Sequence, residues 1–263
     1  MSIHYWYVFP IAVVVCTLAT SSGFSGSVLF QPVFYFILRI PLSQSIATGI
    51  ATETIGMTNG ALTYWYLNSR SGSIDKNAVT SVLPFVFTGV VVGILFFVYA
   101  PKPILRLAVG IVMTSIAVYQ VWLAGENRIG TLDHANLKIL SRPWWRAYQV
   151  TAGAFSASTG TGVAEMHQPL FEAQAGLRTT KSNASAICIE AIADWLITLT
   201  NINLGNIRYD ILIFSVSGVL VGGQIGPRIA CILPARCVKT VFGICVAIIG
   251  ALYVITSCQS LIH

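Results

Sequence analysis

Charge is what this sequence has least of. Only 9% of its 263 residues are Asp, Glu, Lys or Arg, against about a quarter in a soluble domain. A chain so poor in charge has no polar surface to hold it in water, which excludes a soluble enzyme or binding domain. The formal net charge of +6 is then a matter of membrane topology, and no nucleic-acid partner is expected. Among the six cysteines there is no Cys-x-x-Cys pair, and most sit in apolar runs as small packing residues. The phosphate-cradling pattern Gly-x-x-x-x-Gly-Lys-Ser/Thr is missing, which removes ATP bound to this chain as a driving force. Nucleophile–base constellations, metal motifs and cofactor fingerprints are also missing, so neither an enzymatic activity nor a cofactor is expected. The opening MSIHYWYVFPIAVVVC has no basic stretch before its apolar residues. It reads as a first membrane segment, with Tyr5, Trp6 and Tyr7 at the interface, and a cleaved signal peptide is not expected.

What the sequence has is apolar length. Hydrophobic residues make up 55% of it. Long apolar runs cover 79–100, 105–124, 211–233 and 238–256, each close to the ~20 residues that cross a ~30 Å hydrocarbon core. The longest polar stretch, 125–142, is too short to hold a core of its own. The expectation is an all-α polytopic membrane protein, multi-pass in the cell (inner) membrane, with the lipid bilayer as its constant partner. Its oligomeric state is left open.

The chain is written twice. At an offset of 137, Gly23, Gln31, Pro32, Phe34, Ala47, Ile50 and Glu53 meet Gly160, Gln168, Pro169, Phe171, Ala184, Ile187 and Glu190. At an offset of 133, Gly72, Ile74, Gly89, Gly93, Pro101 and Gly110 meet Gly205, Ile207, Gly222, Gly226, Pro234 and Gly243. Apolar matches are cheap by chance, whereas Gln-Pro, Glu and a series of glycines in order are not. The organisation expected is one membrane domain made of a first repeat (1–124), a polar linker (125–143) and a second repeat (144–263). Each repeat begins with an apolar helix, then a Gly/Ser break, a short apolar piece of about 13 residues, a helix with polar residues inside it, and two further apolar helices. At ~1.5 Å per residue the short piece spans about 20 Å, too little to cross unaided.

Basic residues discriminate between two topologies. If the first helix and the short piece form a hairpin that returns to its starting side, Arg39, Lys102, Arg106 and Arg208 lie on one side and the other eleven of the fifteen Lys and Arg on the opposite side. If the short piece crosses onward, the split is seven against eight, with no bias. The excess of positive charge in cytoplasmic loops favours the hairpins. It makes the second repeat inverted with respect to the first, puts the linker in the cytoplasm and leaves both termini outside.

The breaks are where a site is expected. Irregular backbone at membrane depth survives only where protein or a water-filled cavity satisfies its N–H and C=O groups. A half-helix beginning at such a break offers unpaired N–H groups and the positive end of its dipole, which suit an anion without any Arg. Short interrupted segments at matching places in two repeats point to a transporter binding site. The candidate substrate-binding residues are Gly23, Ser25, Gly26, Ser27, Gln31 and Thr48 in the first repeat. Gly160, Thr161, Gly162, Gln168 and Ser185 are the candidates in the second. Gln31 and Gln168 either donate amide hydrogens to an oxyanion or pair with backbone of the opposite hairpin.

The sequence resembles the TauE/SafE family of sulfite-exporter-like permeases over nearly its whole length. The resemblance rests on the Gly-rich break followed by Pro (Gly23 to Pro32, Gly160 to Pro169), IATGI at 46–50, GSID at 72–75, the paired Gly89 and Gly93, and Pro101 followed by Leu105-Arg106. The breaks GFSGS and GTGVAEMHQ depart from the richer GxGGG of the family, and Ala47-Thr48-Gly49 from its ATS. The resemblance implies a small sulfur-containing anion as substrate, such as sulfite, sulfoacetate or thiosulfate.

Intramembrane ionisable residues are expensive and mark function by default. Glu53 and Glu190 are repeat equivalents, and both are candidates for proton coupling. Glu165 and His167 join them, although the first repeat has Val28 and Phe30 at those positions; His is the side-chain type that titrates near neutrality. Glu172 and Asp194 add further acid. An anion site beside so many carboxyls requires some to be protonated when the anion binds. Otherwise the carrier takes a cation or metal through those carboxylates, and that is the competing reading, alongside a non-transporting membrane scaffold.

Overall fold

The computed structural model describes residues 5–67, 74–101, 104–105, 107–112, 114–115, 118, 131–232, 240–241 and 243–253. Gly72 of the GSID motif, the start of the linker, Lys102, Arg106, Pro234 and Cys237 lie outside the described residues. Among those described the protein is helical, with no strand. The first half contains α1 (Val8–Ser22), α2 (Ser27–Pro32), α3 (Leu42–Leu67) and α4 (Lys76–Tyr99). After a short α5 (Leu137–Leu140) come α6 (Pro143–Thr159), α7 (Ala164–Pro169), α8 (Thr179–Asn203) and α9 (Tyr209–Ala230). A last segment, α10, covers Gly243–Tyr253.

The distribution of polarity is that of a membrane protein. By length and composition α4, α8 and α9 can each cross a bilayer. On the outside of α4, Val91, Val92 and Leu95 are each more than half exposed, while Gln31, Thr48, His167 and Glu190 in the interior are fully buried. Lipid accepts the first group, and packed protein satisfies the second. The 26-residue α3 is equally long, and its Thr48, Thr52, Glu53 and Thr54 lower its hydropathy because they face inward.

Each short piece is a hairpin arm. α1 stops at Gly23, whose φ of +80° lets its N–H turn back to the Ala19 carbonyl, and α6 stops at Gly160 in the same way, with φ +70° and a bond to Ser156. Such left-handed caps suit glycine, since a Cβ there is strained. Next, α2 and α7 each run into Pro32 or Pro169 and continue as a single wide turn, Val33–Ile37 or Leu170–Gln174. Proline has no N–H to donate into the helix, and the five-residue spacing that follows (Leu38 N–H to Val33 O, Ala175 N–H to Leu170 O) takes up the distortion. The sequence had indicated only a short helix in these places; the widened turn is an addition from the structure.

Neighbour contacts fix the directions. Cys16 lies against Gly56 and Thr20 against Gly60, so α1 runs parallel to α3. In contrast, Gly26 and Ser27 bond to Glu53 while Gln31 lies against Gly49, so α2 runs back along α3. The same reversal brings Ala164 to Glu190 and the Gln168 carbonyl to Ser182 on α8. Between the halves, Thr54 meets Thr198 and Thr58 meets Trp195, so the equivalent helices α3 and α8 run antiparallel.

The first helix of each half packs on the fourth helix of the other. Gly218, Gly222 and Gly226 of α9 lie against α1, where an added Cβ would come within 2.5, 2.7 and 2.7 Å of the carbonyl oxygens of Phe9, Val13 and Thr17. In the α4–α6 seam, Cβ atoms at Gly89 and Gly93 would come within 1.9 and 2.3 Å of the carbonyl oxygens of Val150 and Ala154. Small residues let helix backbones approach this closely where lipid provides no hydrophobic drive.

Candidate functional site

The two breaks touch. Ser27 donates its hydroxyl to the Gly160 carbonyl at 2.6 Å, and the Ser25 N–H donates to Glu165 Oε1 at 2.8 Å. At Gly162 there is no room for a side chain, since a Cβ would lie 2.0 Å from Cβ of Ser25. Gly23, Ser25, Gly26, Ser27, Gly160, Thr161 and Gly162 thus form one junction, buried where its side chains are concerned.

The N–H groups of the first break can be followed one by one. Those of Gly23 and Phe24 go to the Ala19 carbonyl, that of Ser25 to Glu165, and those of Gly26 and Ser27 to Glu53. Ser25 adds its hydroxyl to Glu53 Oε2 at 2.5 Å. A buried carboxylate therefore sits at the start of α2, where helix dipole and backbone donors both favour negative charge. The second half repeats the device with fewer donors: the Ala164 N–H bonds to Glu190 Oε2. Ser27–Glu53 and Ala164–Glu190 are related by the same offset of 137 as the sequence repeat. Thr161 bonds with Thr159 at 2.7 Å between hydroxyls.

Asp194, one turn beyond Glu190, completes a cluster. Glu53, Glu190 and Asp194 each have a carboxylate oxygen within 4.8 Å of the others. Both oxygens of Glu53 are already accepting, and the trio's oxygens without a hydrogen-bond partner among the described residues are Glu190 Oε1 and Asp194 Oδ2. Three buried carboxyls held this close cannot all be charged without a proton or a cation between them. His167 is on α7, its Nδ1 bonded to the Val163 carbonyl at 2.9 Å and its ring tilted on Phe171. Its Nε2 has no hydrogen-bond partner among the described residues.

The two Gln-Pro glutamines differ. Gln168 donates to Glu172, which Thr179 also holds. Gln31 is fully buried, and neither its Nε2 nor its Oε1 has a partner among the described residues. Neither glutamine pairs with backbone of the opposite hairpin. The reason for the difference is legible in the sequence, because the position of Glu172 is Tyr35 in the first copy.

Thr48 and Ser185 have other commitments. The Thr48 hydroxyl accepts the Arg208 N–H at 3.0 Å, and the Ser185 hydroxyl accepts the Asp75 N–H at 2.9 Å. These bonds are also repeat equivalents, and each ties a helix of one half to the entry of the fourth helix of the other. Ser185→Ala is expected to strand the Asp75 N–H and lower stability by about 1–3 kcal/mol. Substrate affinity should stay unchanged, as thermal unfolding in detergent and a binding isotherm will check. The sequence reading missed Asn183, whose amide donates to the Ser21 carbonyl and whose side chain abuts Gly23. Its first-repeat counterpart is Ile46, so the repeat gave no signal for it.

Comparison with known families matches residues 8–253 to the family described as Sulfite exporter TauE/SafE. Neither a curated protein nor a solved structure matches the chain.

Proposed function

The chain belongs to the sulfite exporter TauE/SafE family, and from that membership we propose that it moves a small sulfur oxyanion or organosulfonate, such as sulfite, across the cell (inner) membrane as a proton-coupled secondary transporter. It is an integral membrane transporter of the sulfite-exporter type. The observation behind the finer reading is the junction itself: two interrupted helices that meet, with donors of the first aimed at a buried carboxylate and further carboxyls alongside. Donors arranged for one oxyanion suit another. The carboxyls of Glu53 and Glu190, with Glu165 at the same junction and His167 on the same short helix α7, supply places for a proton.

Two repeats, inverted about the junction, are part of the proposal. The antiparallel course of α3 and α8 supports it, as do the exchanged seams α1–α9 and α4–α6. The linker is then cytoplasmic and both ends of the chain are outside. Single cysteines at Ser2 and Asn136, in a background without the native cysteines, report this with an impermeant maleimide added to intact cells. Ser2 is expected to label and Asn136 to be protected; the reverse pattern overturns the orientation.

Substrate class is tested by counterflow in proteoliposomes. Preloaded sulfite is expected to drive uptake of labelled sulfite faster at acidic pH, whereas a divalent cation is expected to show no exchange. Exchange of the cation without sulfite would establish the cation reading instead.

A further inference from the structure

We propose that Glu53 occupies the substrate's own seat, so that the transported oxyanion binds by displacing this carboxylate from the Ser25, Gly26 and Ser27 donors. The proposal rests on the sulfur-anion reading above and goes beyond it by naming what must leave before the substrate can enter.

The seat is built for an oxyanion and holds one that belongs to the chain. Glu53 Oε2 accepts from the Ser25 hydroxyl and from the Ser27 N–H at 2.9 Å, while Oε1 accepts from the Gly26 N–H. Two oxygens sharing one negative charge meet the start of a helix that runs unbroken, through its wide turn, over Ser27–Ile37. A sulfonate or a sulfite ion presents the same edge of two oxygens and adds a third.

Gln31 is the independent sign that something larger than a carboxylate fits there. It lies one turn beyond Ser27 on the same face of α2, and its Oε1 is 3.3 Å from the position of a Cβ on Gly160, the residue whose carbonyl takes the Ser27 hydroxyl. Fully buried amides are almost always hydrogen-bonded, yet neither polar atom of Gln31 has a partner among the described residues. Gln168, its equivalent, is bonded to Glu172. A planar carboxylate uses three donors and leaves Gln31 idle. The third oxygen of a sulfur oxyanion gives the Gln31 amide its acceptor.

Displacement also keeps the charge balanced. The groups facing Glu53 are Glu165 from α7, Glu190 and Asp194 from α8, and Cys16 from α1. Among the described residues no Lys or Arg forms an ion pair with Glu53, Glu190 or Asp194. If the anion takes the donors, Glu53 has to leave them towards the Glu190–Asp194 side, where it cannot add another negative charge. It leaves with one proton, so a monovalent oxyanion such as a sulfonate enters with no net change of charge at the seat.

The experiment is calorimetric binding of methanesulfonate, whose own charge is constant across the range used, to the full chain in detergent. Glu53→Gln removes the competing charge, and Glu53→Asp keeps the charge but shortens its reach. Both are expected to bind methanesulfonate about tenfold more tightly than the native protein at pH about 8, with the gap closing at pH about 5.5. In the Glu53→Gln background, Gln31→Leu is expected to remove the preference for methanesulfonate over acetate, because acetate has no third oxygen. Retained unfolding temperature and elution volume identify the variants that fold. Native protein that binds while folded variants bind no more tightly overturns displacement and leaves the sulfur-anion reading standing. No binding by any of the proteins, with methanesulfonate or sulfite, overturns that reading and the displacement with it. Binding by the variants alone supports displacement in its strongest form.

Discussion

Gly162→Val is expected to bring sulfite flux down to the background of empty liposomes. The cause is contact between the two breaks. A Cβ at position 162 would lie 2.0 Å from Cβ of Ser25, 2.5 Å from its hydroxyl and 2.4 Å from Glu165 Oε2. Valine adds two methyl groups beyond that Cβ, so the junction has to separate. Separation costs the Ser25–Glu165 and Ser27–Gly160 bonds and turns the Gly26 and Ser27 donors away from any oxyanion they share. Overpacking of this kind costs about 1–3 kcal/mol, which lowers the unfolding temperature but leaves folded protein in which flux can be measured. Gly205→Ala is the control. Its φ of +68° makes alanine strained by about 1–2 kcal/mol, comparable in stability cost, but no atom lies within 4 Å of the new Cβ. Transport should survive there. Equal flux from Gly162→Val and the native protein, normalised to reconstituted amount, would exclude the junction from the transport path.

The division into helices was legible because membrane segments announce themselves by length. Apolar runs at 79–100 and 211–233 correspond to α4 (Lys76–Tyr99) and α9 (Tyr209–Ala230). The repeat gave the breaks and the Gln-Pro positions, since Gln and Glu are costly within a membrane and Gln-Pro, Glu and a series of glycines in order are not matched by chance. Less legible was what each polar side chain would find as a partner. Sequence offers the Gly26 and Ser27 N–H groups as free donors for a substrate. The structure instead has Glu53, 27 residues from Gly26, already accepting them. An offset of 137 relates Glu53 to Glu190, but it does not say that both lie at the ends of the short helices. Thr48 and Ser185 show the same limit. Placed near the glutamates by sequence, they join α3 and α8 to the loops ahead of α9 and α4. Asn183 was silent, because one amide on α8 that reaches the end of α1 leaves no periodic trace.

The largest effect on folding is expected from Gly89→Leu in the α4–α6 seam. The contact there is backbone to backbone. A Cβ on Gly89 would sit 1.9 Å from the Val150 carbonyl oxygen and 2.9 Å from the Ala154 nitrogen, and a Cβ on Gly153, on the facing side, would sit 2.2 Å from the Val86 carbonyl. Side chains can rotate out of a clash, but two helix backbones can only move apart. Moving apart forfeits the packing along Gly89, Gly93 and Gly153 together, in a setting where lipid gives no hydrophobic drive to compensate. The cost is expected to exceed about 3 kcal/mol, the upper end of overpacking in cores, and Gly89→Leu should fail to elute as a folded species from a sizing column in detergent. Gly89→Ala should fold with a clearly lowered unfolding temperature, and Val91→Leu, on the exposed face of the same helix, should change nothing. Because α6 leads directly into the second break while α4 belongs to the first half, the damage reaches the junction as well. Suppressed accumulation of Gly89→Leu alongside reduced flux in whatever Gly89→Ala protein folds is the expected pair of results. A Gly89→Leu protein with native unfolding temperature and native flux would show that α4 and α6 do not meet backbone to backbone.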